Sequence, residues 1–218
     1  MTGYETARAN MIDRQLRPNS VIDERLIEAF ASLRREQFVP ERLRAVAYVD
    51  EDLPLGVGRY LMAPMVAARL LQALEIARGD TALVIGAGVG YEAALIALLG
   101  RSVVAVEENG ELARLGRNAL VEHRIANVKF VEDLTAQGGR ARPAYDVVLF
   151  GGAVAEVPPE ISAYLAEGGR MAAVVRPGDG MGRAILVTRT GGLLAHRVMF
   201  DAATPPLPGF GRKPIFVF

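Results

Sequence analysis

Cysteine is absent from the 218 residues, which excludes disulfide staples and thiol chemistry and suits a reducing cytoplasm. Neither sign of charge is in excess. The 25 Lys and Arg balance 25 Asp and Glu without a basic block, which speaks against nucleic acid or an anionic membrane as a partner. No apolar run reaches the ~18 residues of a membrane span. The opening Met1-Thr2-Gly3-Tyr4-Glu5 is polar and lacks the apolar core of a signal peptide. Together these absences lead to the expectation of a cytoplasmic protein. Histidine is scarce too. His123 falls in a predicted helix and His196 in a predicted hairpin strand, both as surface or edge residues, and no metal-ligand spacing recruits them. No metal is expected, and no internal repeat is visible.

What is present is hydrophobic: 51% of the chain, enough for one large α/β domain with an N-terminal elaboration. The organising stretch is Thr81-Ala82-Leu83-Val84-Ile85-Gly86-Ala87-Gly88-Val89-Gly90-Tyr91. An apolar strand runs into three alternate glycines and then into the apolar helix 92–99. Such a turn lets the backbone approach a ligand closely, and the helix N-terminus supplies free N–H donors. The dinucleotide fingerprint would place its third glycine at Tyr91, which counts against NAD and a nicotinamide-dependent oxidoreductase. The next strand, Ser102 to Val106, leads into Glu107, about 20 residues past the first glycine, where a ribose-binding acid belongs.

Around this stretch the pattern alternates. Residues 4–16 and Glu24–Leu33, the latter capped by Asp23, read as helices of an N-terminal layer. Residues 50–64 read as a long functional loop, and 65–77 as a helix. Further strands are expected at 128–131, 145–150 and 171–175, with helices at 110–124 and from Pro158 through Leu165. Residues 184–190 and 195–200 form an expected hairpin. The Pro-rich tail 201–218 is expected to dock, with Ile215 to Phe218 as an edge strand or a docked end. The expected fold is a Rossmann-like α/β domain: a mostly parallel twisted sheet with helices on both faces and the ligand at the strand C-terminal ends. One domain over 1–218 is expected, with residues 1–64 as layer and loop and 65–200 as the nucleotide-binding core.

Several pieces together resemble the protein-L-isoaspartate O-methyltransferase family, class I S-adenosylmethionine-dependent enzymes. They are Met11-Ile12-Asp13-Arg14-Gln15-Leu16, Arg34-Arg35-Glu36-Gln37-Phe38-Val39-Pro40, Ala47-Tyr48, Leu53-Pro54-Leu55-Gly56, the glycine turn, Tyr145-Asp146 and Leu165-Ala166-Glu167-Gly168-Gly169-Arg170. The resemblance implies methyl transfer from S-adenosylmethionine to an isoaspartyl carboxylate in damaged protein. It implies that the turn from Gly86 through Ala87, Gly88 and Gly90 to Tyr91 lines the cofactor, that Glu107 holds the ribose, and that Asp133 sits near the adenine amine. Three departures stand out. The family run Gly-Gln-Thr-Ile-Ser-Gln-Pro is here Gly58-Arg59-Tyr60-Leu61-Met62-Ala63-Pro64, so Met62 replaces a hydroxyl, and Arg59, Tyr60 and Met62 become the loop candidates. Val84 stands where an acid is usual, and Glu132-Asp133-Leu134 loses two glycines. Two other readings remain open: a member with a changed acceptor, and a non-catalytic interaction module, which Val84 and Met62 favour.

Overall fold

The computed structural model describes residues 3–134 and 144–211. The edge strand or docked end expected at Ile215–Phe218 lies outside them. The chain opens with α1 (Gly3–Met11), a π-helical turn (Ile12–Leu16) and α2 (Glu24–Ser32). Asp23 caps α2, its carboxylate accepting from the Arg25 and Leu26 amides at 2.9 and 3.3 Å, as its position before an amphipathic run predicts. Two short 3₁₀ segments follow, at Arg35–Gln37 and Glu41–Val46.

Residues 53–61 depart from the loop expected there. They form a two-stranded antiparallel hairpin, β1 (Leu53–Gly56) and β2 (Arg59–Leu61). Leu53, Leu55, Arg59 and Leu61 point inward, while Pro54 and Tyr60 point out. The period-two alternation and the Gly56-Val57-Gly58 tip were the readable signals. Val57 takes φ +47° between two glycines that are also left-handed. A β-branched residue there is strained, at a cost of about 1–2 kcal/mol. The acidic residues before the hairpin serve the next helix, α3 (Pro64–Ala73). Asp52 accepts from the Ala63 amide and Asp50 from the Met65 amide, each at 3.0 Å, at the end of the helix that favours negative charge.

The core sheet contains β3 (Thr81–Ile85), β4 (Ser102–Val106), β5 (Val128–Val131), β6 (Tyr145–Val154), β7 (Leu165–Val175), β8 (Gly182–Thr190) and β9 (Leu193–Ala202). Its order is β5-β4-β3-β6-β7-β8-β9, parallel through β7 and antiparallel beyond. The strand order reverses between β3 and β6, and ligands bind such sheets at that point. Alternate residues of the strands fill two separate cores. Ala82, Val84, Val147 and Leu149 join one with the N-terminal layer, α3, α4 (Tyr91–Leu99) and α5 (Gly110–Glu122). Leu83, Ile85, Val148 and Phe150 face the other. Among the described residues, that second face is covered by the one-turn α6 (Pro159–Ser162) and by the tail. The helix expected through Leu165 ends at Ser162, and Gly168-Gly169 lies within β7 rather than closing a helix.

Strand β6 also runs four residues beyond the expected Phe150. There it keeps its pairing with β7, Ala153 opposite Val174 and Val154 opposite Val175, while the tail takes the side that β3 has left. The Ala153 amide donates to the Pro205 carbonyl at 2.9 Å, the Leu207 amide to Ala153 at 2.7 Å, and the Ala155 amide to Phe210 at 2.9 Å. Leu207 is 3% exposed, and the Phe210 ring meets Phe150 edge-on with centroids 5.7 Å apart. The tail through Gly211 therefore docks as a strand-like strap.

At the switch point β6 comes so close to the β3 turn that a Cβ on Gly151 would overlap the Gly86 carbonyl oxygen and lie 3.1 Å from its carbon. Neither partner is a side chain that can swing away. Gly151→Ala is expected to lower stability by about 3 kcal/mol through overpacking, read as a drop in the urea midpoint. A native midpoint would show that β6 and the turn can separate.

Candidate functional site

The site is built on one carboxylate. Strand β3 ends at Ile85, and Gly86, Gly88 and Gly90 turn the chain with φ of +68°, +55° and +75° into α4. Side chains adopt those values rarely, which is why the turn is glycine at alternate positions. The turn is anchored to β4 by the Ala87 amide donating to Val106 at 2.9 Å. Glu107 follows at once, its side chain fully buried. One of its oxygens accepts from the Gly88 amide at 2.8 Å and the other from the Asn109 amide at 2.9 Å. Asn109 in turn caps α5.

A third partner completes this arrangement. Arg59, on the inward face of β2, places Nε 3.2 and 3.3 Å from the two Glu107 oxygens. Arg59 is 7% exposed, and its Nη1 has no hydrogen-bond acceptor among the described residues. Over the adjacent glycines sit apolar side chains of the same chain. A Cβ on Gly86 would lie 2.7 Å from Leu207 Cδ2, and one on Gly152 would lie 3.2 Å from Leu207 Cβ, so Leu207 fills the gap between the two strand ends. Leu55 lies over Gly88 in the same way, with Cδ1 at 3.3 Å.

These contacts decide whether S-adenosylmethionine fits. A carboxylate has about four lone-pair sites, and two amides and a guanidinium already engage those of Glu107. The space left beside it, lined by Arg59, Gly86, Glu108, Asp133, Ile161 and Phe210, is about 150 Å³. Sites for ligands of that size run to roughly 300–1,000 Å³. A larger hollow of about 700 Å³ lies elsewhere, against Val175, Met181 and Val198. Among the described residues, Arg59 and Leu207 thus stand where the cofactor would meet Glu107 and Gly86, and in this conformation they exclude it.

The expected site residues thus fall into groups. Gly86, Ala87, Gly88 and Glu107 are brought together, and Asp133 stands exposed at the rim of the small cavity. Gly90 faces the Phe130 ring, 2.7 Å from where its Cβ would be. Tyr91 needs correction as a cofactor contact. Its side chain is fully buried on the opposite side, edge-on to Phe30 and Phe38 and beneath the Arg35 guanidinium, so only its backbone borders the turn. Of the loop candidates, Arg59 reaches the site, Tyr60 is 38% exposed, and Met62 is packed in the core shared with the helical layer. Val84 is likewise core. Sequence reasoning missed Leu55, Leu207 and Phe210, apolar residues that carry no chemical signal.

The helical layer behind the turn buries charge. Arg35, wholly inaccessible, donates from Nε to the Ala47 carbonyl at 2.7 Å and from Nη2 to Met62 at 2.6 Å. Tyr48 donates to Glu36, and burial raises its hydroxyl well above the usual range. His123 accepts the Arg34 amide at Nε2 and contacts the Ala119 carbonyl through Nδ1, a joint between layers. His196 is exposed on β9. Among the described residues no cluster of acids and histidines could hold a metal, and no helix is long and apolar enough to cross a membrane.

Two predictions follow from this burial. Desolvation pushes the Glu92 carboxyl up to about 7 from 4.5, against the opposing pull of Arg35. Because the folded value exceeds the unfolded one, the associated stability is complete below about pH 4.5 and is lost as pH rises through about 7. At about 1.36 kcal/mol per pKa unit, Glu92→Gln should be more stable than the native chain at pH 8 by up to ~3 kcal/mol, the gap closing towards pH 5. Parallel denaturation curves at the two pH values check it. Met62→Ser, which would restore the family hydroxyl, instead leaves a cavity and a buried hydroxyl. It should cost about 2–5 kcal/mol in the same assay and give no gain in methyl transfer.

Comparison with known proteins agrees with this fold. The profile of the family Protein-L-isoaspartate(D-aspartate) O-methyltransferase (PCMT) matches residues 6–201. A protein-L-isoaspartate O-methyltransferase of Koribacter versatilis is 37% identical over 210 residues, 96% of this chain and 94% of the relative. One of Methanoculleus marisnigri is 35% identical over 184 residues, 84% of each. Among solved structures, a Plasmodium falciparum chain of that name, in complex with S-adenosyl-L-homocysteine, superposes with a TM-score of 0.77 at 18% identity. The match covers 95% of this chain and 99% of that one. The glycine turn, the acid in register beside it and the mostly parallel sheet are thus seen in a chain that belongs to the protein-L-isoaspartate(D-aspartate) O-methyltransferase family.

Proposed function

We propose that this chain is a methyltransferase that takes its methyl group from S-adenosylmethionine and transfers it to the carboxylate of an isoaspartyl residue in damaged protein. The observation that carries the reading is Glu107, buried at the end of β4 and hydrogen-bonded to the Gly88 amide of the turn, in a chain of this family. With the cleft open, Gly86, Ala87, Gly88, Gly90, the backbone of Tyr91, Glu107 and Asp133 are the residues assigned to the cofactor. The chain acts as one domain over 1–218, the helical layer and hairpin serving as its acceptor side.

The chemistry asks little of the side chains. The cofactor supplies an activated methyl group on sulfur. An ionised carboxylate is already a nucleophile at neutral pH, so no general base is required, and none of the described side chains is assigned that role. Orientation and exclusion of water remain for the protein to provide. A second reading, a family member that no longer transfers methyl groups and serves as an interaction module, is favoured by the Arg59–Glu107 pair.

Incubation with methyl-labelled S-adenosylmethionine and paired peptides, one isoaspartyl and one normal aspartyl, separates the two. Label is expected on the isoaspartyl peptide alone, as a base-labile ester. No label on either peptide, at enzyme and donor concentrations that saturate binding, would rule the acceptor out.

A further inference from the structure

The residues that exclude the cofactor come from two segments distant in sequence, and each takes the place of a different part of it. Arg59 satisfies the carboxylate that the family reading assigns to the ribose, with Nε 3.2 Å from the nearer oxygen. Leu207 occupies the gap between Gly86 and Gly152, over the turn where the rest of the ligand would lie. The two segments also touch. A Cβ on Gly58, at the hairpin tip, would lie 3.0 Å from Pro208 Cγ. The hairpin and the strap therefore close over the same cleft as neighbours.

Neither piece resembles ordinary core. Arg59 is a buried cation whose Nη1 has no acceptor among the described residues, in a space lined by Glu108 and Asp133. A guanidinium left partly unsatisfied there costs free energy that an apolar side chain would not. The turn that delivers it carries the strained Val57. The strap is held by three backbone hydrogen bonds to Ala153 and Ala155 and by the Phe150–Phe210 contact, and it pairs only with the end of β6 that runs past the last residue of β3. Short straps of this kind open at a fraction of the global unfolding free energy.

We propose that the β1–β2 hairpin, through Arg59, and the segment 204–210, through Leu207, form an autoinhibitory latch on the donor cleft, which S-adenosylmethionine must displace to bind. The inference rests on the donor reading above. In the latched state Glu107 is paired with Arg59. In the open state the ribose hydroxyls take those lone pairs, and Leu207 withdraws from Gly86. A ligand whose competent state is a minor one binds more weakly by the fraction of that state, so loosening the latch strengthens binding. Because Gly58 abuts Pro208, loosening either segment frees the other.

Calorimetric titration of S-adenosylmethionine and S-adenosylhomocysteine into the full-length native chain, Arg59→Gln and Leu207→Ala tests this. Each variant is expected to bind at least tenfold more tightly than the native chain. Hydrogen exchange without ligand gives a second reading. Arg59→Gln should speed exchange at the Leu207 amide, which lies on the other segment, while the Leu83 amide in the middle of β3 stays protected. Native binding as tight as that of both variants would overturn the latch and leave the methyltransferase reading standing. Absence of binding by all three proteins would overturn both. Tighter binding by the variants without label on the isoaspartyl peptide would uphold the latch and remove the acceptor. Should Leu207→Ala fail to fold, unchanged exchange at the Leu207 amide in Arg59→Gln would overturn the coupling.

Discussion

A buried carboxylate must have partners, and Glu107 draws the surrounding elements together to supply them. Its oxygens are reached by the turn after β3, by the start of α5 and by the hairpin, through Gly88, Asn109 and Arg59. Removing the cation would strand a buried charge, and breaking such a pair commonly costs about 3–5 kcal/mol. Two conditions can satisfy the group. Arg59 holds it from within, or a ligand with hydroxyl donors holds it from without. The backbone amides of Gly88 and Asn109 serve either state, so the turn need not rearrange when partners exchange.

The covering of the sheet follows the same logic. The face that carries α1 to α5 is closed by large apolar side chains and by Arg35, whose Nε and Nη2 donate to carbonyls of the 47–62 region. The hairpin is therefore fixed at its base, since Met62 directly follows β2. The opposite face has little helix among the described residues, and Leu207 and Phe210 complete it. What shields the core there also fills the cleft. Stability and ligand access are thus set against each other at one position: detaching 204–210 exposes Leu207, Phe210 and the end of β6 at the same time as it uncovers Gly86.

Much of the sheet was legible because its signals are local and periodic. Continuous apolar runs mark the parallel strands, Asp23 marks α2, and the alternate glycines mark the turn. The family resemblance in the motifs before the sheet pointed to the fold that the comparisons support. The hairpin was read as loop because glycine and proline punctuation outweighed a three-residue alternation. The helix after Pro158 was overextended because the proline start and Gly168-Gly169 mark its two ends in sequence, although α6 stops at Ser162 and Leu165 begins a strand. Tyr91 was assigned to the ligand by motif position alone. Its ring turns instead into a gap between Phe30 and Phe38, which no one-dimensional pattern reveals. Leu207 lay beyond reach for the same reason: an apolar residue in a proline-rich tail says that it docks, not where.

The departures in the hairpin read differently once their geometry is known. In sequence, Met62 is a lost hydroxyl and Arg59 an added donor, two separate changes. On the strand they are consequences of one register. Arg59 and Leu61 face inward, Tyr60 faces solvent, and Met62 leaves the strand for the core beneath Arg35. The glycine turn is bound by structural demands that do not involve a ligand. Gly88 donates to Glu107, Gly86 makes room for Leu207, and Gly90 makes room for Phe130. Its persistence is therefore no measure of donor binding. The informative residues are those that compete for the same atoms, Arg59 for the Glu107 oxygens and Leu207 for the space over Gly86. Whether the family chemistry operates depends on how readily those two give way.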